Sequence, residues 1–197
     1  MIDKIIYINL EHRSDRKEEI ETELNNFGLE YERFNAINHS SGIVGCGLSH
    51  LSVLKLAKEK KYKNILILED DFTFLVSKEV FSAQIKLLAD VNFDVCMLSY
   101  VLNNYQECEE YPFLLKVLDA QTTSGYVVNE SMYDKLIELY SSAIPLLEQT
   151  GMHWIYANDQ IWKSLQPDNR WYCFKTRLGK QRPSYSDCTE SYADYDC

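Results

Sequence analysis

The chain has 197 residues, 46% of them hydrophobic, enough for one domain whose core needs no disulfides. Thirty Asp and Glu against twenty Lys and Arg give a net charge of −10, which argues against a general nucleic-acid binder and a polybasic membrane-surface anchor. No stretch approaches the roughly 20 apolar residues of a membrane helix, and the first ten residues are too polar for a signal h-region, so a soluble and by default cytoplasmic protein is expected.

Lys4 to Leu10 is rich in strand formers and reads as a first strand. Ser14 then caps a helix with Ile20, Leu24 and Phe27 at helical spacing, stopped by Gly28. A second strand is predicted over Tyr31 to Ile37, followed by a polar, glycine-bearing loop from Asn38 to Gly47 and a helix from Leu48 to about Lys60. The lysines at the end of that helix suit its dipole. Ile65 to Leu68 follows as a short strand buried on both faces.

Beyond it, Ser77 caps a helix through Ala89 that buries Val80, Phe81, Ile85 and Leu88, and Val95 to Ser99 is a strand. Asn103 to Pro112 reads as an acidic loop, and Phe113 to Leu118 and Thr123 to Val128 as two strands around a turn. Asn129 caps a helix from Ser131 to about Ser142 that Pro145 ends. An Asn158-capped short helix, a strand near Trp171 to Phe174 and a tail rich in Tyr, Ser and Asp complete the chain. Alternating helices and strands imply an α/β sheet protein.

Three carboxylates, Glu69, Asp70 and Asp71, close the buried Ile65–Leu68 strand. Ligands of open α/β sheets gather at the carboxyl ends of strands, and a hard divalent cation takes one or two carboxylates while keeping waters and phosphate oxygens. Alternation puts Glu69 and Asp71 on one face and Asp70 on the other, with Asp71 the choice for direct ligand. Acids that merely mark a solvated strand end remain the bland alternative.

Arg13-Ser14-Asp15-Arg16 follows the first strand, where guanidinium groups can fork onto phosphate. Cations at a helix start oppose its dipole, which favours a reason beyond surface charge. Gly45-Cys46-Gly47-Leu48-Ser49-His50 permits close backbone approach but lacks dinucleotide or P-loop spacing. His50 there reads first as a structural residue. Lys175, Arg177, Lys180 and Arg182 form a cationic run that either neutralises a diphosphate or is a solvated face. Asp159 is a first-turn acid or a substrate-facing base.

Six cysteines (46, 96, 108, 173, 188 and 197) show neither a C-x-x-C pair nor zinc-ligand rhythm. Cys46 and Cys96 are expected to pack in apolar surroundings. Cys188 and Cys197 bracket the polar tail and are expected as free thiols without a secretion signal.

Ile8-Asn9-Leu10 with Arg13-Ser14-Asp15-Arg16, Gly45-Cys46-Gly47-Leu48-Ser49-His50, Ile65 to Asp71 and Thr123-Ser124-Gly125-Tyr126, in that order, resemble glycosyltransferase family 25. The family includes lipooligosaccharide and procollagen galactosyltransferases and members from large DNA viruses, whose ending the segment Gly179 to Asp187 also resembles. The resemblance implies a GT-A type α/β fold, a Rossmann-like mixed sheet flanked by helices. It makes 1–197 one glycosyltransferase domain, with a nucleotide-binding part over about 1–100, a donor-sugar and acceptor part over about 101–187, and a polar tail over 188–197.

The implied reaction is Mn²⁺- or Mg²⁺-dependent transfer of galactose or glucose from UDP-galactose or UDP-glucose to a hydroxyl of a glycan or hydroxylated protein, with inversion. By position, the resemblance gives Asn9, Leu10 and Arg16 the nucleotide border, and Ser124 and Gly125 the donor-sugar pocket. Glu69, Asp70 and Asp71 take a DxD-like role, with Asp71 and Glu69 on the metal, and Asp159 becomes the candidate base. Arg13, Ser49, Lys180 and Arg182 complete the expected nucleotide-sugar contacts. The alternatives are a UDP-sugar-binding module that does not transfer, and a metal-dependent phosphohydrolase, which would need further His or Asp ligands. The four histidines, 12, 39, 50 and 153, show no such pairing in sequence.

Overall fold

A computed structural model describes residues 2–186 and 191–194. Its centre is an eight-stranded mixed sheet built from β1 (Lys4–Asn9), β2 (Glu32–Asn35), β3 (Asn64–Glu69), β5 (Val95–Met97), β6 (Val101–Glu107), β7 (Leu114–Gln121), β8 (Gly125–Asn129) and β9 (Trp171–Phe174). The spatial order is β2-β1-β3-β8-β5-β9-β7-β6. The β2-β1-β3 part is parallel, β8 inserts antiparallel between β3 and β5, and the β7-β6 edge is antiparallel. Two small ribbons join β4 (Phe72–Phe74) to β10 (Gly179–Gln181) and β11 (Ser184–Ser186) to β12 (Ser191–Ala193).

The period-2 alternation of the strands divides the core in two. Ile6, Ile8, Ile65 and Ile67 join one cluster with residues of α2 (Gly42–Lys60) and α4 (Glu130–Thr150). Ile5, Tyr7, Leu66 and Leu68 join the other with Ile20 and Leu24 of α1 (Ser14–Asn26) and Phe81 and Leu88 of α3 (Lys78–Leu88). A strand apolar on both faces is therefore one with helices on both sides, as for β1 and β3. Two short helices, α5 (His153–Tyr156) and α6 (Asn158–Ile161), lead into a 3-10 turn over Trp162–Leu165. None of the described helices is long and apolar enough to cross a membrane.

Several expected boundaries move, each for a physical reason. The stretch from Gly42 is helical rather than loop: α2 starts there, and Gly45 is needed because a Cβ would lie 2.6 Å from the Ile37 carbonyl oxygen. Helix α4 runs through Pro145 to Gly151, which caps it at φ +68°. Buried Ala143, Ile144 and Leu147 flank the proline, so packing outweighs one lost hydrogen bond. Asn103 to Glu107 is the exposed edge strand β6 and not a loop; its polar residues suit a sheet edge and hide the strand from pattern reading. The strands β7 and β8 do not pair with each other, since β8 lies between β3 and β5. Ser77 does cap α3, its side chain accepting from Val80 N, yet Val80 itself is exposed. Helix α1 begins at Ser14 with Arg13, not Ser14, in the cap position.

Candidate functional site

Helix starts and strand ends meet around a cavity of about 720 Å³ at the carboxyl ends of β1, β2 and β3. This is the size of pocket that holds a small organic ligand. Its wall includes Asn9, Leu10, Arg16, Glu69, Asp70, Asp71 and Asp159 among the candidates from the sequence. It also includes His50, Thr122, Thr123, Asn158 and Gln181.

The acids sit differently from the expected alternation. Strand β3 ends at Glu69, so the period of two stops there, and Asp70 and Asp71 both turn toward Arg16. Arg16 Nη1 lies 2.8 Å from Asp70 Oδ1 and 3.2 Å from Asp71 Oδ2. Asn9 Nδ2 donates to Asp70 Oδ2 at 2.8 Å. Glu69 faces the other way, accepting from Thr123 Oγ1 at 2.7 Å and lying 3.1 Å from His50 Nε2. The opposite ring nitrogen of His50 is 3.0 Å from the Tyr126 hydroxyl, which fixes the imidazole in a fully buried slot. His50 thus orients a carboxylate as well as filling space.

Burial pushes the Asp71 carboxyl up to about 7, with the nearby Glu69 charge adding to the rise against the pull of Arg16. Asp70 is also raised by burial. Glu69 is held below the usual carboxylate range: burial opposes its charge, but the His50 and Thr123 hydrogen bonds and the Arg16 charge prevail. Asp71 Oδ1 and Arg16 Nε are buried without a hydrogen-bond partner. A buried oxygen left unsatisfied beside two further carboxylates is a donor set that fits a hard divalent cation.

Asp159 lies across the cavity wall on α6, 3.3 Å from the Thr122 backbone N–H that it accepts. Burial raises its pKa, the Thr122 contact lowers it, and Glu69 raises it further, with a net rise. Asn158 donates to Thr123 Oγ1 at 3.2 Å, which links α6 to the Glu69 network.

The remaining candidates lie off the cavity wall. Ser49 Oγ donates to Gly45 O at 2.6 Å and accepts from Ile37 N at 2.8 Å, so it ties α2 to the segment after β2. Ser124 is buried against Ser99. Gly125 and Gly179 clear space for the Phe72 ring, which a Cβ at either would strike within 2.5 Å. Arg13 pairs with Asp15 and donates to the Tyr185 carbonyl. Arg182 reaches Glu19 and Glu23 through its guanidinium, while its backbone N–H donates to Asp71 O. Lys180 pairs across the ribbon with Thr73, and Lys175 binds Glu107 on the distant edge, so the cationic run is dispersed.

Cys46 is on the cavity wall rather than in an apolar pocket. Its sulfur lies with His50 and Glu69 ligand atoms, all within 4.8 Å of one another, a grouping made by the fold and absent from sequence spacing. Cys96 is buried as expected, while Cys188 and Cys197 lie outside the described residues. Gln181, which bonds Asp71, and Thr123 were not singled out by the sequence. Thr123 lies inside the Thr123-Ser124-Gly125-Tyr126 motif and Gln181 inside the Gly179 to Asp187 segment, but neither was given a role of its own, and the approach of Gln181 depends on the β10–β4 pairing.

Residues 38–161 match the sequence model of glycosyltransferase family 25 (LPS biosynthesis protein). The chain belongs to glycosyltransferase family 25. It is similar to a "Glycosyltransferase 25 family member" of Drosophila melanogaster, 29% identical over 101 residues that cover 37% of this chain and 16% of the fly protein. The match therefore spans a small part of that relative's length.

Among solved structures, the chain resembles a glycosyltransferase involved in glycosylation of the major capsid of PBCV-1, with TM-score 0.57, 13% identity and 95% of each chain covered. It also resembles the galactosyltransferase LgtC in complex with donor and acceptor sugar analogues, with TM-score 0.50, 10% identity, and 95% and 91% covered. At these identities the likeness is one of fold, and it establishes the GT-A type α/β architecture of this single domain.

Proposed function

We propose that this family 25 glycosyltransferase moves a hexose, galactose or glucose, from a UDP-sugar to an acceptor hydroxyl, with a divalent cation and with inversion. The observation that carries this reading is the carboxylate group at the end of β3, where Asp71 keeps a buried oxygen with no hydrogen-bond partner. Asp71, with Glu69 or Asp70, would hold Mn²⁺ or Mg²⁺, whose charge neutralises the departing diphosphate when bound.

The chain's own residues account for the rest. Arg16 is held by Asp70 and Asp71 at the cavity wall, and its guanidinium would offer its charge to the diphosphate. The first turn of α2, with Gly42, Ile43 and Gly45 on the wall, turns the positive end of its dipole to the same space. Asn9 and Leu10 border the nucleotide. Asp159, its proton affinity raised by burial, takes the acceptor's proton as the acceptor oxygen bonds to the anomeric carbon; the bond from that carbon to the diphosphate oxygen breaks, and its electrons leave with UDP.

The test is release of UDP from UDP-galactose and UDP-glucose in Mn²⁺, in water and with glycan acceptors. Asp71→Ala is expected to lower turnover about a hundredfold or more, the scale of losing a main electrostatic group in a site. Turnover unchanged by that substitution, or no release from either sugar nucleotide, contradicts the proposal.

A further inference from the structure

The cavity has a second kind of wall, to which the acids and Arg16 do not belong. Trp154 lines it while remaining 61% exposed, whereas the other two tryptophans, Trp162 and Trp171, are wholly buried. Single exposed apolar side chains are ordinary on a protein surface, so it is the ring's place on the cavity wall, and not its exposure alone, that marks it. Its position is nevertheless fixed. Gly151 ends α4 in the left-handed conformation and turns the chain into α5, whose single turn is closed by Tyr156 N to Met152 O and Ala157 N to His153 O, both 3.0 Å. The His153 ring meets the indole edge-on, with centroids 5.2 Å apart and planes at 81°.

Polar groups face the same space. Gln121 and Gln160 line the cavity with Asp159. Gln160 Nε2 and Lys163 Nζ both donate to Gln121 Oε1, at 3.2 and 2.9 Å, which sets the Gln121 amide with its NH2 end outside both bonds. An aromatic face on the same cavity wall as oriented amides and a carboxylate is chemistry suited to a pyranose ring. The electron-rich ring face attracts the ring's C–H groups, and the amides and carboxylate take its hydroxyls. A rigid indole also loses little conformational entropy when covered.

We infer that Trp154, with Gln121 and Gln160, is the acceptor subsite and that it takes a pyranoside: the acceptor is a glycan end, stacked on the indole with a hydroxyl offered to Asp159. This rests on the transferase reading of the cavity, and it selects a sugar over a hydroxylated side chain of a protein as the group recognised.

The experiment uses the full chain with methyl hexopyranosides of both anomers and their common disaccharides as probes, followed by saturation-transfer NMR and by the emission of Trp154, the solvent-facing indole. UDP with Mn²⁺ is titrated separately. Wild type should show saturation of the protons on one face of a pyranoside ring and a blue shift of the exposed emission. Trp154→Ala should weaken that binding about tenfold, equivalent to about 1.4 kcal/mol, with Trp154→Phe intermediate and UDP affinity unchanged in both. An exposed side chain is removed, so equal melting temperatures should accompany the loss.

No saturation from any pyranoside on wild type overturns the inference, as does equal binding by wild type and Trp154→Ala. A loss of UDP affinity in Trp154→Ala also overturns it, because the indole would then serve the nucleobase. Failure of wild type to bind UDP counts against the donor reading instead, and the two failures are told apart by the separate titrations.

Discussion

Two buried acid sites in this molecule show opposite ways of keeping a carboxylate out of water. Asp94, beside the start of β5, is 6% exposed and fully served: it accepts from the Arg170 backbone N–H at 2.9 Å, from the Arg170 guanidinium, and from Ser131 Oγ at 2.7 Å. Those bonds outweigh its burial and hold its pKa below the ordinary value. Asp71, beyond the end of β3, is 8% exposed, shares Arg16 with Asp70, and leaves one oxygen without a partner, so burial prevails and its pKa rises to about 7. The first is a structural clamp, and the second keeps one buried oxygen open, the place the proposed cation would take.

The largest expected effect tests whether Asp159 belongs with Asp71. Asp159→Asn should lower transfer about 10²- to 10⁴-fold, the usual weight of a general base, while leaving UDP affinity and the melting temperature in place. Transfer at the wild-type rate removes it as base. Asp94→Ala should do the reverse, sparing transfer. It should cost about 2 kcal/mol of stability, less than the 3–5 kcal/mol typical of breaking a buried pair, because the Arg170 side chain is 41% exposed. Denaturant unfolding at neutral pH measures it, and a stability equal to wild type would break the contrast.

The smallest effect is one of sign. With no metal present, Asp71 binds more protons folded than unfolded between its ordinary value of 3.8 and about 7, so its contribution to stability falls as pH rises through that window. Asp71→Asn should therefore match wild type near about pH 4 and exceed it increasingly toward about pH 8. Asp94 has a lowered folded pKa, so its stabilisation is present above 3.8 and is lost as pH falls through its folded value. The Asp94→Ala deficit should close in acid, while the Asp71→Asn gain opens toward neutrality. Two pH profiles of the same sign would refute the distinction.

What the sequence disclosed follows from the same contrast between local and assembled features. Strands β1 and β3 were legible because their alternating residues are apolar toward both layers of helices. The acids at the end of β3 and Arg16 stood out by their places at a strand end and a helix start, and the fold brings them to one cavity wall. Edge strand β6 was not, since its residues are polar along most of its length, and the run of α4 through Pro145 depends on packing contributed elsewhere in the chain. Ser49, Ser124 and Gly125 sit in motifs that carry the family resemblance, yet they lie off the cavity wall: Ser49 ties α2 to the segment after β2, Ser124 bonds Ser99, and Gly125 makes room for the Phe72 ring. A motif marks a neighbourhood, and only the packing decides which of its members reaches the ligand.

The most direct test of the account is calorimetric titration of UDP into wild type and Asp71→Ala, each with and without Mn²⁺. If Asp71's unpartnered oxygen is there for a cation that meets the diphosphate, Mn²⁺ should strengthen UDP binding to wild type about tenfold or more and leave the variant unaffected. Equal UDP affinity with and without Mn²⁺ in wild type, or the same Mn²⁺ gain in Asp71→Ala, would contradict it.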